Sequence, residues 1–451
     1  MPVDTRAGAR AAEAPGAPTG VRPDPYLQVT SAIVHVAVVL VGVDFGIGKG
    51  MSATLPIALG LAPLWIKAVR EYTLAPLLLA LMGACAVSGV VLSTFAAQDH
   101  VISSSSRVQM LGLLLSGAAA LALLLWARQE MPYHRVVALY GLGGVVGALA
   151  EGRVSWKYGV AVPATFLVLG LVERSGSRAR SLLAVILLGL AGAMDDYRSY
   201  FAFCLLAAAL TLWQMRPVAE DRRQNRWWPA ILIGSMASAM YLLTSTLITA
   251  GYLGEAVQTR SQEQIEQSGS LLAGGRPEWA ATFELMQLKP SGYGVGVVPN
   301  LEDVHTAKRG LDSINIGLNP QRDQYMFGTE FRLHSIIADL WVRFGLVGLG
   351  LAAVILLAVV RSLSFALAER QAPTSAILAS LLALWSLPFE PSYTYWVRVC
   401  VALGLVLVLR TPFEARQRRL PGRIGRRADE RTTDAGREGG TSWRSGEHTP
   451  H

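Results

Sequence analysis

Charge is what this sequence has least of. Asp, Glu, Lys and Arg make up 16% of its 451 residues, against about 25% in soluble domains. That deficit excludes an ordinary water-facing surface over most of the chain. Cysteine is nearly missing too. Cys85, Cys204 and Cys400 are the only three; each falls in an apolar run, and none has metal-ligand spacing. The one long polar stretch contains none, so neither a disulfide framework nor a thiolate metal site is expected. A cleavable leader is not expected either, because residues 1–25 are rich in Ala, Pro, Gly and Arg and have no apolar core.

What is present is apolar sequence in long continuous runs. Hydrophobic residues make up 52% and the mean hydropathy is +0.38. A helix needs roughly 20 mostly apolar residues to cross a bilayer, and only helices or closed barrels satisfy their backbone there. Continuous rather than alternating runs read as helices. They fall at 29–48, 51–66, 74–95, 108–127, 136–150, 159–172, 181–194, 200–215, 229–250, 335–360, 375–387 and 395–409. The expected fold class is therefore an all-α polytopic membrane protein of about 12 transmembrane helices.

The formal net charge is +8, but the basic residues are placed as in a membrane protein, not as in a nucleic-acid binder. They crowd alternate connections: Lys67 and Arg70; Arg128 and Arg135; Arg174, Arg178 and Arg180; Arg216, Arg222, Arg223 and Arg226; Arg361 and Arg370; and the C-terminal tail. By the positive-inside rule both termini are cytoplasmic. The expected organisation is a disordered cytoplasmic tail at 1–28, helices 1–9 at 29–250 and an exported loop with short amphipathic helices at 251–334. Helices 10–12 follow at 335–410, then a disordered basic cytoplasmic tail at 411–451. In the loop, 255–272 is rich in Glu and Gln. A second helix opens at Arg276-Pro277, Pro being suited to the first helical position. It puts Trp279, Phe283 and Met286 on one face before Lys289-Pro290 stops it. A Gly-rich turn region, 290–299, follows.

Ionisable groups near the outer face are functional candidates by default. Asp195, Asp196 and Arg198 lie where the seventh and eighth helices meet, and Arg276 lies in the loop. His334 opens the tenth helix with Asp339 and Arg343 one and two turns deeper, Glu390 sits in the last outer turn, and Arg398 lies in the twelfth helix. Each has a plainer explanation. Asp195, Asp196 and Arg198 can fix a turn, Asp339 and Arg343 are spaced to neutralise each other, Glu390 can pair with Arg398, and a His at a helix start can be an interfacial group.

A pattern ties several of them together. His334-Ser-Ile-Ile-Ala-Asp-Leu-Trp-Val-Arg-Phe-Gly345-Leu-Val-Gly348 resembles the signature of the O-antigen ligase and polymerase superfamily, in which a His opens the helix after a large periplasmic loop and two glycines follow. Tyr197-Arg198-Ser199 resembles the Ser-Arg-Ser type motif that starts the helix two before the loop. Gly274-Gly275-Arg276-Pro-Glu-Trp279 and Gly294-Val-Gly296 resemble the loop's Gly-Arg…Trp and Gly-x-Gly elements. The likeness covers roughly residues 195–409. Ser335 stands where Asn is usual after the His, and Arg343 where an acidic residue is common.

The resemblance implies a glycosyltransferase of the cytoplasmic (inner) membrane. It would move or polymerise a glycan from an undecaprenyl-type diphosphate carrier on the exported face, in O-antigen, capsule or exopolysaccharide assembly. It implies His334 and Arg276 as catalytic residues, with Arg198, Trp279, Gly294, Gly296, Asp339 and Arg343 at the diphosphate or glycan. Implied partners are the carrier-linked donor, a glycan or lipid acceptor, membrane lipids and other polysaccharide-assembly proteins; no nucleic acid, metal or cofactor is expected. The chemistry is consistent. The leaving diphosphate gains negative charge, which a guanidinium grips in bidentate fashion, and one such donor supplies roughly 3 kcal/mol at a transition state. The acceptor hydroxyl needs a base near neutral pH, which His provides. The different-class alternative is a polysaccharide flippase, but the sequence has no internal repeat of the kind common in transporters.

Overall fold

A computed structural model describes residues 25–216, 276–315 and 320–410, with a few single positions between 231 and 262. Apart from those positions, the ninth apolar segment, the first half of the loop with Gly274 and Gly275, residues 1–24 and the C-terminal tail lie outside the described residues. Within them the chain is mostly helical.

Helix α1 (Pro25–Val43) starts inside the stretch assigned to the N-terminal tail and ends where Asp44 turns to φ 49°. A small hairpin of β1 (Gly46–Gly48) and β2 (Met51–Ser52) follows. The expected second span is instead two short helices, α2 (Thr54–Gly60) and α3 (Ala62–Val69). Pro63 explains the break: it has no amide hydrogen, and its ring excludes the carbonyl four residues earlier. The indole of Trp65 donates to the Ala58 carbonyl (2.6 Å) beside the break.

Next come α4 (Ala75–Ala96), α5 (Ser104–Glu130) and α6 (Tyr133–Ala150). A π-helical turn (Trp156–Val160) leads into α7 (Ala161–Glu173), and α8 (Arg178–Met194) and α9 (Arg198–Gln214) follow. The loop contributes α10 (Glu278–Leu288), α11 (Leu301–Ser313) and α12 (Pro320–Phe327). The chain then returns through α13 (Ile336–Ala368), α14 (Thr374–Phe389) and α15 (Ser392–Val406).

Among the described residues, five helical stretches are long and apolar enough to span a membrane: α4, α5, α6, the π-turn with α7, and α13. Their surroundings differ. In the apolar window of α5, 78% of residues are buried inside the protein, against 28% in α4. Helix α5 is thus the central post. Small residues let its neighbours approach: a β-carbon on Gly117 would lie 2.3 Å from Nε1 of Trp396 on α15. Helix α6 works likewise towards two partners. A β-carbon on Gly143 would meet the Val39 carbonyl of α1 at 2.1 Å, and one on Gly141 the Leu167 amide of α7 at 2.2 Å. Close backbone approach through small residues is the usual means of holding helices together in lipid. The outward faces carry Val87, Phe95, Leu171, Leu183 and Leu357, all more than half exposed. So much bare apolar surface on helices of spanning length makes this a membrane-embedded protein.

The helix ends define two poles. At one, Arg128 donates to the carbonyls of Gly404 and Leu407 (both 2.9 Å), Arg178 to those of Gln214 (3.2 Å) and Arg370, and Arg370 to that of Arg216. These are the ends that the sequence assigns to one side. At the opposite pole lie α10 and the N-termini of α13 and α15.

Candidate functional site at the loop pole

Helix α13 is not continuous. Gly345 takes φ 63°, ψ −144°, and a β-carbon there would sit 2.2 Å from the Ser291 carbonyl. Breaking the helix frees carbonyl groups that must be satisfied elsewhere. The Val342 carbonyl accepts from the amides of Tyr293 (2.8 Å) and Gly294 (2.9 Å), and the Phe344 carbonyl accepts from the Ser88 hydroxyl (3.0 Å). The Gly-rich stretch is therefore a buried strut wedged between α13 and the α4–α5 connection. Gly294 (φ 112°) has the Ser93 amide 2.3 Å from where its β-carbon would be, and the Gly296 carbonyl accepts from the Ser103 amide (2.7 Å). The sequence places Gly294 and Gly296 at the substrate; the structure packs them against α4 and the start of α5, where they hold α13 in place.

His334 sits just ahead of α13 and does not open it, because Ser335 is the N-cap, its side chain accepting from the Ala338 amide (3.3 Å). Ser and Asn cap equally well, so the departure from the family pattern at Ser335 keeps the local structure. His334 has φ 52°, a region tolerated by few residues, His among them. The ring is half-buried. Nδ1 lies 3.0 Å from the Tyr325 hydroxyl, which lies 2.6 Å from that of Tyr393. The Arg332 guanidinium covers both phenol rings, 5.9 and 5.4 Å from their centroids. Nε2 has no hydrogen-bond partner among the described residues. Burial holds the His334 pKa below its ordinary 6.5; the carboxylates of Glu278 and Asp339 oppose that shift, and the Arg276 guanidinium adds to it.

Arg276 is thus an electrostatic neighbour of His334, and of a second group as well. Burial raises the pKa of Glu390, while Arg398, a hydrogen bond from Ser386 and Arg276 pull it back. Trp279 fixes this arrangement, its indole donating to the Pro388 carbonyl at the end of α14 (2.9 Å). The inward stripe of α10 is Ala281, Thr282 and Leu285, while Phe283 of the expected face is 56% exposed.

Two expected members of the site lie deeper. Asp339 is fully buried and Arg343 is 6% exposed. Asp339 accepts from the amides of Leu333 (3.2 Å) and Ser392 (2.9 Å) and from the Ser392 hydroxyl (2.7 Å). Arg343 donates to the same hydroxyl and lies 3.7 Å from the Asp339 carboxylate. Through Ser392 they tie α13 to the start of α15. Arg198 is turned to Asp196 (2.8 Å), while Lys157 donates its amide to Asp195 (3.0 Å). That is the turn-fixing arrangement; the neighbouring Tyr197 feels Glu390 and Arg398.

Sequence reasoning passed over Tyr325, Tyr393 and the side chain of Glu278. Tyr393 directly follows the outer turn, but nothing in the pattern marks Tyr325. No group of three His, Cys, Asp or Glu among the described residues could hold a metal ion. Comparison of the chain with protein-family models, curated proteins and solved structures returns no match.

Proposed function

We propose that the chain is a membrane glycosyltransferase that transfers or polymerises a glycan carried on a polyprenyl diphosphate, on the exported face of the cytoplasmic membrane, as O-antigen ligases and polymerases do. The observation that carries the reading is the electrostatic proximity of Arg276 to His334, whose Nε2 is unpartnered among the described residues, at the pole remote from the clustered arginines. In this mechanism the acceptor hydroxyl gives its proton to Nε2 of His334 as its oxygen bonds to the anomeric carbon. The bond from that carbon to the diphosphate breaks, and Arg276 holds the phosphate oxygens that receive the electron pair. Arg198, part-exposed at the same pole, would meet the donor at the rim.

The same proposal sets the topology. About twelve spans, with α2 and α3 together counted as one, put the long loop between the ninth and tenth and leave both termini in the cytoplasm beside the arginine pole. A reporter fused near Gly269 should read as exported and one after Arg419 as cytoplasmic; two readings on one side would refute this arrangement.

Purified protein given a carrier-linked glycan and acceptor in detergent is the test of the reaction. Longer or transferred glycan supports it. Unchanged glycan with cooperatively melting protein rejects it in favour of a flippase, which does nothing without two compartments.

A further inference from the structure

We infer that Asp339 is a positioning residue, whose single carboxylate brackets the turn carrying His334 to the helix start carrying Tyr393. The inference deepens the transferase reading and rests on it for the reaction served. One oxygen of Asp339, Oδ1, accepts the amide of Leu333, the residue before His334; the other, Oδ2, accepts the amide and hydroxyl of Ser392, the residue before Tyr393. The two ends so tied are also the ends of the chain His334–Tyr325–Tyr393, at 3.0 and 2.6 Å. A carboxylate with both oxygens occupied by amides is stiff, because a charge-assisted bond is about twice as strong as a neutral one. It holds His334 at its positive φ and sets how far α13 stands from α15 at the imidazole.

The plainer explanation is that Asp339 neutralises Arg343 four residues on. The geometry disfavours it. Their separation is 3.7 Å, the nearer guanidinium nitrogen goes to the Ser392 hydroxyl, and Nη2 of Arg343 is buried without a partner among the described residues. Arg343 is an incompletely satisfied counter-ion to a group already satisfied by amides.

The test is a set of three variants read in two ways. Asp339→Asn keeps shape but turns one acceptor into a donor, so one of the two amides loses its partner. Arg343→Met removes the counter-ion, and the double variant removes both. The first reading is turnover at saturating donor. Asp339→Asn should lose roughly 10- to 100-fold, the range for a charge-assisted bond, with KM for the donor little changed, and the double variant should stay as slow. Recovery of wild-type turnover in the double variant would mean that Asp339 only neutralised Arg343, and would overturn the inference.

The second reading needs no substrate: carbethoxylation of His334 by diethyl pyrocarbonate, followed by mass spectrometry of its peptide as pH is varied. Groups bearing on the imidazole are Arg276 and Glu278 at α10, Tyr325 of α12, Arg332, Asp339 and Tyr393. Asp339 is one of two carboxylates that oppose the burial shift, so Asp339→Asn should move the midpoint down and raise the plateau rate as the turn loosens. An unmoved midpoint and plateau in protein that melts cooperatively would overturn the bracket. Because this measurement is independent of glycan transfer, a wild type that transfers nothing refutes the transferase reading while the bracket is still decided by the His334 midpoint.

Discussion

His100 and His334, both at the loop pole, are held in opposite ways. His100 precedes α5 as His334 precedes α13. The side chain of His100 is 3% exposed, with Nε2 2.8 Å from Asp303 and Nδ1 2.6 Å from Asp99. Asn300 approaches Nε2 at 3.3 Å, and Tyr293 meets the ring edge-on at 5.7 Å. Asp303 in turn closes the capping box of α11 with Asn300. Every polar atom of His100 is spent on joining the α4–α5 connection to the loop. His334 has a neutral phenol at one nitrogen and no described partner at the other. The contrast corrects a habit: carboxylates around a histidine look like a catalytic array, yet here they mark the architectural one. An imidazole is available for proton transfer when one nitrogen is held and the other is left open.

The largest effect expected is the one that would break this contrast. His334→Ala should lower transfer per mole of folded protein roughly 10²–10⁴-fold, the range for removing a general base, with insertion, yield and donor binding kept. His100→Ala should do the reverse. It leaves the buried Asp303 with the Asn300 amide but without the imidazole, and loss of a hydrogen bond to a charged group costs roughly 1.5–3 kcal/mol, so the melting temperature and yield should fall while turnover of the surviving folded molecules stays near wild type. Wild-type turnover in His334→Ala, or a chemical defect in folded His100→Ala, would reverse the assignment.

Next in size is Arg276. Replacement by Ala should cost roughly 10²–10³-fold if its guanidinium meets charge growing on the leaving diphosphate. Arg276→Lys keeps the charge but loses the planar fork, and should recover only a small part of that loss. Near-wild-type turnover with Lys would reduce Arg276 to a point charge beside His334.

Much of this was legible in the sequence, and the gaps have causes. The apolar runs gave helix existence closely: 74–95 became Ala75–Ala96, and 200–215 became Arg198–Gln214. Hydropathy does not register Pro63, so one span at 51–66 was expected where two half-length helices stand. Chemistry-bearing types near the loop led to Arg276 and His334 because charge at a membrane face is rare enough to be conspicuous. The same reasoning did not reveal that Asp339 and Arg343 meet at Ser392 or that Arg198 turns to Asp196, since a sequence does not say which charges face each other. Gly294 and Gly296 resembled ligand-approach glycines, but a close approach to backbone of α4 and α5 imposes the same absence of a side chain. The Tyr325–Tyr393 pair was invisible because its two halves are 68 residues apart and tyrosine carries no charge to draw notice.

The acid limb of the pH profile sharpens the comparison further. Only neutral imidazole accepts a proton, so turnover should fall as pH drops through the His334 pKa. Burial and Arg276 place that pKa below 6.5 in the folded protein, so the half-maximal point should lie below pH 6.5. Arg276→Gln removes a positive neighbour and should move the limb of the residual activity upward. An acid limb above 6.5 in the wild type would show that another group governs the rate.

The smallest effect expected is at Tyr325, and it tests whether the held nitrogen matters at all. Tyr325→Phe removes the hydroxyl 3.0 Å from Nδ1 and leaves a ring of nearly the same volume to pack against His334, whose centroid lies 5.7 Å away. A neutral hydrogen bond contributes about 1 kcal/mol net, which corresponds to roughly fivefold in rate. Turnover should fall by about that factor, because the imidazole can then rotate and exchange which nitrogen carries its proton. Tyr393→Phe, one bond further out, should cost less, since Tyr325 still faces Nδ1. The order of the two effects is the decisive part. If Tyr393→Phe is the worse variant, the phenols are not holding His334 in series from Tyr393 inward, and Tyr393 itself would have to be placed at the substrate.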